Sequence, residues 1–534
     1  MLYRPAKPRS LWGYWVIEWQ GEYHIYYAEA INANYDQLSW QKKHRHIGHT
    51  VSKDLVRWEE RPSISLKGKP GDWNDMAEGG GQTTGCVVRH EDKFYMFAGA
   101  TKDGIQKVGV WLSDDLYNWK PHPANPVLRP AGPYYRDAPT KERPSVGWRD
   151  PGIAYCKEDG CYHMCISAML PKPGNGHYLG STVGHVRSKD LIHWEHLPPF
   201  DIPGLFDRFY QIEEPEMFAI AGKSYLTFDG GTTGGMRVNT PSRDDVRGSF
   251  YMIGGPNFNG PFKRPADDLL VGNGLGERCA TTCRFIPYED TQLLFHFSIA
   301  RRPVLGTPKI VRVKADGTLY LEYMPVLEKL ETGVIYNSIE DIPEYESQDP
   351  GKWHRSNGEL SCNVKVGGSA YRVAEKVSDF HLSCTIKGQS ADRAGVVLRI
   401  REQGDSGAWP QGVGIIFDYE NQRIFLSDAR CYLQSGWYCR PKDFCRMSLK
   451  RDKSYQLRCF VRGENLEVYL DNRWLFTTII PEIGAKDEVE EIRTPRSHYR
   501  WGPKAASTGA VDLMAERGKA IFSGLRLASI EPLA

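Results

Sequence analysis

The chain has 534 residues, of which 40% are hydrophobic and 12% aromatic, and its 68 Lys and Arg nearly balance 66 Asp and Glu. This composition supplies large cores and excludes disordered, collagen-like and coiled-coil chains. A net charge of +2 gives no general attraction to nucleic acid or to an anionic membrane. No apolar run approaches the ~20 residues of a membrane helix, and the first residues have no apolar core typical of a signal peptide. We therefore expect a soluble, cytoplasmic protein.

The 12 cysteines are too few for a disulfide scaffold. Cys156, Cys161 and Cys165 lie close together, but a zinc site favours paired short spacings with matching histidines. Cys279 and Cys283 have no second such pair nearby. The pattern predicts buried free thiols in strands, and we expect no metal and no cofactor.

Three segments of the first 200 residues repeat one another. Residues 47–58, 108–119 and 183–194 share the pattern Ser-x-Asp-Leu-x-x-Trp after a short apolar run. Each predicts a strand, a polar turn and a return that ends in an aromatic residue.

A second repeat extends further along the chain. It is anchored, in order, at Tyr23, Phe94, Tyr162, Ser224 and Leu293, with gaps of 71, 68, 62 and 69 residues. Five near-equal units rich in β-forming and turn residues predict a five-bladed β-propeller over residues 1–335. A single blade cannot bury both of its faces, whereas five around an axis can.

Beyond residue 335 the repeat stops. Residues 336–350 are polar and acidic and predict a linker. From 351 to 534 short apolar strands recur about every dozen residues, which is typical of a β-sandwich. The predicted fold class is therefore all-β, a five-bladed propeller followed by a sandwich domain.

Two acidic residues fall at similar places before the second-repeat anchors. Asp150 lies 12 residues before Tyr162, and Glu213 lies 11 residues before Ser224. Each is followed closely by a proline, which tolerates the start of a strand because it needs no ladder donor there. Adjacent carboxyl groups with an arginine nearby separate their pKa values, as acid catalysis at a glycosidic oxygen requires. We expect both to face one cavity; the alternative is a pair of satisfied strand-end carboxylates.

The five blades, Arg149-Asp150-Pro151, Glu213-x-Pro215 and the Ser-Lys-Asp-Leu turns resemble glycoside hydrolase families 32, 68 and 43. The first includes invertases and fructan hydrolases, and the last includes arabinofuranosidases and xylosidases. The trailing sandwich is similar to the arrangement of family 32, and residues 467–471 look like its hallmark strand. The resemblance covers most of the chain.

The resemblance implies roles for individual residues. Glu213 matches the general acid/base of the family, Asp150 the carboxylate that stabilises the transition state, and Arg149 its partner. Glu214 is a candidate sugar contact, although strand alternation favours a side chain that points away. The remaining candidate sugar contacts are Thr84 in the second blade, Asp75, and two aromatic stacking platforms that alternatively pack in the core, Trp12 and Trp73.

The sequence departs from the family at the first blade. There the family carries its nucleophilic aspartate in a motif like WMNDPNG, whereas this chain has Leu11, Trp12 and Gly13 and no acidic residue before Glu18. One account is that a carboxylate from another loop replaces it, and the best placed are Asp72, Asp75 and Glu78. Alternatively, the enzyme inverts configuration through a base that holds water, or the protein binds a sugar without cleaving it.

The expected function is hydrolysis of a furanoside, foremost a β-fructofuranoside such as a fructan or fructo-oligosaccharide, by carboxylate acid/base catalysis. The alternatives are a catalytically silent carbohydrate-binding protein, a transglycosylase that forms fructose anhydrides or oligosaccharides, and an arabinofuranosidase-type activity. The expected partner is a carbohydrate, with neither nucleic acid nor membrane. The sandwich is expected to brace the propeller or to form a homodimer contact.

Overall fold

The chain divides into two compact units, residues 2–272 with 279–321 and residues 322–533, in a computed structural model. The described residues are 2–6, 8–31, 44–76, 81–141, 144–171, 180–202, 204, 209–232, 247–273, 280–298, 303–345, 352–401, 411–432, 436–480 and 508–533.

The first unit consists of five consecutive groups of antiparallel strands, each paired in chain order. Four groups are four-stranded sheets, and in the fifth the second strand pairs with the first strand and with two later strands. The strands are Arg9–Trp19 (β1), Glu22–Ile31 (β2), His44–Ser52 (β3), Glu59–Ile64 (β4); Gln82–His90 (β5), Lys93–Lys102 (β6), Ile105–Ser113 (β7), Lys120–Pro121 (β8); Arg149–Cys156 (β9), Cys161–Met169 (β10), Ser181–Ser188 (β11), Glu195–Leu197 (β12); Phe209–Ile220 (β13), Lys223–Thr232 (β14), Arg247–Ile253 (β15), Leu269–Asn273 (β16); Ala280–Tyr288 (β17), Thr291–Ser298 (β18), Val304–Leu305 (β19), Lys309–Val313 (β20) and Leu319–Glu322 (β21).

The first strands of the five groups form a closed ring. β1 contacts β5, β5 contacts β9, β9 contacts β13, β13 contacts β17, and β17 returns to β1. This cyclic order is that of a five-bladed β-propeller whose innermost strands surround the axis. The predicted fold class is confirmed, and the five anchors of the second repeat all lie at the beginning of the second strand of a blade.

Apolar residues between neighbouring blades form the core of this unit. The second strand of a blade is buried on both faces, as in β6 and β10, because another blade covers each side. This explains why these strands are nearly continuous apolar runs, with little of the alternation seen where one face meets solvent. His46 and His49 lie in β3.

The second unit is built from one short 3-10 helix and twelve antiparallel strands among its described residues. The helix is Pro325–Leu330. The strands are Glu331–Tyr336 (β22), Trp353–Ser356 (β23), Glu359–Val377 (β24), Phe380–Lys387 (β25), Arg393–Arg401 (β26), Gln411–Asp418 (β27), Arg423–Tyr432 (β28), Gly436–Arg446 (β29), Ser454–Arg462 (β30), Asn465–Leu470 (β31), Arg473–Ile479 (β32) and Gly509–Ile530 (β33).

Two long strands, β24 and β33, pass from one layer of the second unit to the other. The first half of β33 pairs with β26, and its second half pairs with β25 and β22. The change falls at Gly518, which has a φ of 117° and approaches Ser390 so closely that a Cβ would lie 2.1 Å from its carbonyl oxygen. Strands that switch sheets at a bend are typical of the corners of sandwiches, and one apolar core lies between the layers.

The division between the units comes at residues 321 and 322, earlier than the predicted propeller end at 335, linker at 336–350 and sandwich start at 351. Residues 331–336 form β22, which pairs with β33 at the end of the second unit. Ile339 and Ile342 are buried in the core of that unit. The polar composition of this stretch concealed a strand and two core residues.

Nine cysteines among the described residues are free, and eight of these are buried, as predicted; Cys279 lies outside the described residues. Within the same part of the chain, no helix is long and apolar enough to cross a membrane.

Candidate active site

Every innermost strand of the propeller carries an irregularity near its start. The register shifts at residues 12–14 in β1, 82–85 in β5, 149–152 in β9, 213–216 in β13 and 281–284 in β17. At four of these bulges one residue has a positive φ: Gly13 (55°), Asp150 (57°), Glu214 (53°) and Thr282 (59°). These residues therefore occupy equivalent positions around the axis, and Thr84 lies within the corresponding bulge of β5.

Asp150 lies buried at this level of the propeller, with 3% of its surface exposed. Its Oδ2 accepts a hydrogen bond from Ser167 Oγ at 3.1 Å and lies 3.2 Å from Arg149 Nε. The backbone N–H of Glu214 donates to the same oxygen at 3.4 Å. Burial raises the pKa of Asp150, and Arg149 opposes this shift by stabilising the ionised form.

Glu214 is held from two other blades, the second and the fifth. Thr84 Oγ1 donates to Glu214 Oε1 at 2.5 Å, and Arg284 Nη2 donates to Oε2 at 2.5 Å. Only 11% of the Glu214 side chain is exposed. Burial raises its pKa well above the usual range, the charge of Asp150 adds to this effect, and Arg284 acts against it.

Glu213 lies on the solvent side of these two carboxylates. Its side chain is 45% exposed, and its Oε1 accepts a hydrogen bond from Arg149 Nη2 at 2.5 Å. Arg149 therefore joins Glu213 to Asp150. The residue equivalent to Asp150, however, is Glu214, one place later than the predicted Glu213. The bulge explains the difference, because an inserted residue interrupts the alternation of faces along the strand.

Gly13 closes the ring of equivalent positions. A Cβ at this residue would lie 2.5 Å from Thr84 Oγ1 and 3.1 Å from Glu214 Oε1. Any side chain here would thus enter the space that Thr84 and Glu214 share.

Arg284 was not found by sequence reasoning. It is 2% exposed, donates from Nε to the carbonyl oxygen of Tyr14 at 2.9 Å, and contacts Glu216 Oε2 at 3.0 Å besides Glu214. Burial raises the pKa of Glu216 to about 7, although Arg284 opposes the shift.

Asp229 was missed as well. It accepts from Ser249 Oγ at 2.5 Å and from Thr282 Oγ1 at 2.7 Å, and burial raises its pKa. The sequence did contain a signal for Thr282, the partner of Asp229 in the fifth blade. Thr281-Thr282 repeats the Thr83-Thr84 pair of the second blade.

The two candidate stacking platforms have different surroundings. Trp12 adjoins Gly13 in β1, is partly exposed, and places its ring edge-on against Phe297 at 5.8 Å. Trp73 packs against Trp111 at 6.3 Å and covers Gly109 on the third strand of the second blade, so its visible contacts are those of core packing.

The carboxylates of the acidic loop before β5 contact groups of their own blade. Asp75 Oδ2 accepts from Gly71 N at 2.9 Å and from Lys102 Nζ at 3.1 Å. Asp72 accepts from Lys69 N at 2.8 Å. Both carboxylates are thus engaged within their own blade, and Glu78 lies outside the described residues.

A group that could hold a metal lies at the far end of the third blade's first hairpin. The ligand atoms of Cys156, Asp159 and His163 lie within 4.8 Å of one another. His163 Nε2 is already hydrogen-bonded to Asp159 at 2.8 Å. Cys156 ends β9, the strand that Asp150 begins, so this group is separate from the carboxylates.

The fold is a five-bladed propeller with buried carboxylates at its axis. Residues 15–265 match the sequence model described as "Glycosyl hydrolases family 32 N-terminal domain".

Named relatives agree with this match. The chain is 24% identical over 405 residues to an acid β-fructofuranosidase of Vicia faba, a match that covers 66% of this chain and 58% of the relative. It is 25% identical over 165 residues to the acid β-fructofuranosidase of Phaseolus vulgaris, covering 29% of this chain and only 22% of the relative.

The fold is also that of a solved structure, fructan 1-exohydrolase IIa of Cichorium intybus in complex with 1-kestose. The TM-score is 0.61 at 12% identity, and the match covers 99% of this chain and 97% of the other.

Proposed function

We propose that this protein hydrolyses β-fructofuranosides. The observation that carries the proposal is the joining of Asp150 and Glu213 through Arg149, beside the buried Glu214, at the axis of a family 32 propeller. The named relatives support the substrate class, since two are β-fructofuranosidases and one was solved with 1-kestose.

Glu213 is the proton donor in this proposal. It is the carboxyl group nearest to solvent, where the leaving sugar or alcohol would lie. Its proton passes to the glycosidic oxygen as the bond to the anomeric carbon breaks. Arg149 fixes the orientation of its carboxyl group through Nη2.

Asp150 stabilises the positive charge that develops on the fructosyl ring. It is buried and rigidly held by Ser167 and Arg149, so it needs no reorganisation when the charge appears. Thr84 and Trp12 lie at the same end of the innermost strands and are the proposed sugar contacts.

Turnover by two conservative variants tests these roles. Glu213→Gln removes the proton and should lower kcat on sucrose and 1-kestose by ~10²-fold or more, and Asp150→Asn should lower it by ~10²–10³-fold. Glu195→Gln, an exposed glutamate of the third blade, is the matched control and should retain wild-type rates. Unchanged turnover by both site variants would refute the assignment, and cleavage of aryl arabinofuranosides alone would refute the substrate class.

A sugar-binding protein without turnover is the second candidate, and Gly13 is the observation that favours it. Calorimetry and product analysis on the same preparation separate the two functions. Heat of binding of 1-kestose with no fructose released after prolonged incubation would establish binding alone.

A further inference from the structure

We propose that Glu214 is the catalytic nucleophile, and that it supplies from the fourth blade the carboxylate that the first blade lacks at Gly13. The inference rests on the proposed function and adds to it the group that attacks the anomeric carbon. Neither the resemblance nor the motif Glu213-x-Pro215 assigns a role in the reaction to the intervening residue.

The first step of the argument is positional. Gly13, Asp150 and Glu214 lie in corresponding bulges and share a positive φ of 53° to 57°. Propeller symmetry therefore directs these three positions toward one axial space. Two of them carry a carboxylate and the third carries no side chain.

The second step concerns volume. Glu214 Oε1 lies 3.1 Å from the place where a Cβ of residue 13 would be. The carboxylate of Glu214 thus lies in the space beside the first strand. This is possible because Gly13 has no side chain. The side chain of Glu214 is long enough to reach, from the fourth blade, the space that a short side chain at residue 13 would otherwise occupy.

The third step is electrostatic. Arg284 Nη2 donates to Oε2 of Glu214, and Thr84 Oγ1 donates to Oε1. Both donors favour the ionised carboxylate, against the burial and the charge of Asp150 that raise its pKa, and they fix its direction. A nucleophile needs this arrangement, because it must be charged and aligned before the substrate arrives.

The reaction then proceeds in two steps. An oxygen of Glu214 bonds to the anomeric carbon, the bond from that carbon to the leaving oxygen breaks, and Glu213 gives its proton to that oxygen. In the second step, water bonds to the anomeric carbon, its proton returns to Glu213, and the bond to Glu214 breaks. Fructose leaves with its original configuration, as in a retaining enzyme.

Chemical rescue tests the role of Glu214. Glu214→Ala should lower kcat on a β-fructofuranoside with a good leaving group by on the order of 10³-fold or more. Sodium azide should enter the vacated space, restore turnover at least tenfold, and form a fructosyl azide of inverted configuration, identified by NMR. Glu213→Ala should instead yield an azide of retained configuration, because azide then attacks the glycosyl-enzyme.

Moving the carboxylate back tests the volume argument. Gly13→Asp combined with Glu214→Ala places an aspartate at a φ that Asp150 already adopts, and the loss of Glu214 frees Thr84 to turn aside. The kcat of this double variant should be at least tenfold higher than that of Glu214→Ala alone. The matched control, Gly13→Asn with Glu214→Ala, has the same shape without the charge and should recover none.

The outcomes separate this inference from the proposed function. If the wild-type protein releases no fructose from any β-fructofuranoside, the proposed function fails. If the wild type is active but Glu214→Ala keeps its activity, or its azide product is retained in configuration, the nucleophile assignment alone is overturned. Thermal melting of each variant shows whether a lost rate reflects unfolding.

Discussion

Arg284 balances the negative charge of buried carboxylates at the centre of the propeller. It is almost fully buried and faces Glu214, Glu216 and the carbonyl oxygen of Tyr14. A buried guanidinium is tolerated only where hydrogen bonds and opposite charges replace water. Its planar fork lets it meet two carboxylates at once, which lysine could not reproduce.

Glu216 should make the stability of the protein depend on pH. Its pKa rises from 4.5 to about 7 on folding, so between these values the folded chain keeps a proton that the unfolded chain releases. The free energy of unfolding therefore falls as pH rises through this window, by up to ~1.4 kcal/mol per pH unit. Glu216→Gln cannot titrate, and its free energy of unfolding should change less from pH 5 to pH 7.

Urea denaturation at pH 5, 6 and 7 measures this difference. The exposed Glu195→Gln serves as the control and should follow the wild-type slope. Equal slopes for Glu216→Gln and the wild type would contradict the raised pKa.

At the residue scale, the sequence singled out Asp150 and Glu213 because each is followed closely by a proline and lies at a similar distance before a repeat anchor, and the family resemblance added Arg149 as the partner of Asp150. The sequence could not predict that Glu214 faces the axis. A bulge changes the direction of two successive side chains, and the pattern of apolar residues does not reveal it. Arg284 was beyond reach for another reason. Its partners lie 68 and 70 residues away, and only the packing of β17 against β13 brings them together.

At the element scale, the Ser-x-Asp-Leu repeat is a turn that side chains hold together. In the second blade Ser113 Oγ accepts from Leu116 N at 2.9 Å, and Asp115 Oδ1 accepts from Asn118 N at 2.8 Å. The leucine has a positive φ of 66°, and its counterparts in the first and third blades have 66° and 65°. The sequence predicted these turns because the side chains that stabilise them act locally.

Ser113→Ala should destabilise the second blade. The hydroxyl is the partner of the buried N–H of Leu116, and a buried donor without an acceptor costs about 1–3 kcal/mol. Urea denaturation followed by tryptophan fluorescence measures the loss. Asp114→Ala, whose exposed carboxylate only meets Lys93, should change stability by less than ~0.5 kcal/mol, and an equal loss in both variants would argue against the turn as the cause.

At the scale of the whole propeller, the ring is closed by the start of the chain. Leu2 N donates to Leu305 O and Leu305 N donates to Tyr3 O, both at 2.9 Å, which joins residues before the first blade to β19 of the last. Both side chains are buried. The repeat predicted the number of blades, but nothing in it indicated this closure, because the pairing joins residues some 300 positions apart.

Removing residues 2–4 should therefore loosen the first blade from the fifth. Two backbone hydrogen bonds at about 0.5–1.5 kcal/mol each and two buried side chains at about 1.5–3 kcal/mol each are lost, so we expect a destabilisation of ~4–9 kcal/mol, seen as a lower urea midpoint. Tyr3→Phe is the matched control. It removes only the contacts of the hydroxyl with Tyr27 and Glu60 and should cost ~1.5 kcal/mol or less.

Activity should fall when this closure is lost, because Gly13 lies beside Glu214 only while the first blade stays in the ring. The truncated protein should lose turnover at a urea concentration at which Tyr3→Phe is still active. Wild-type activity and an unchanged midpoint after truncation would show that contacts between β1 and β17 close the ring by themselves.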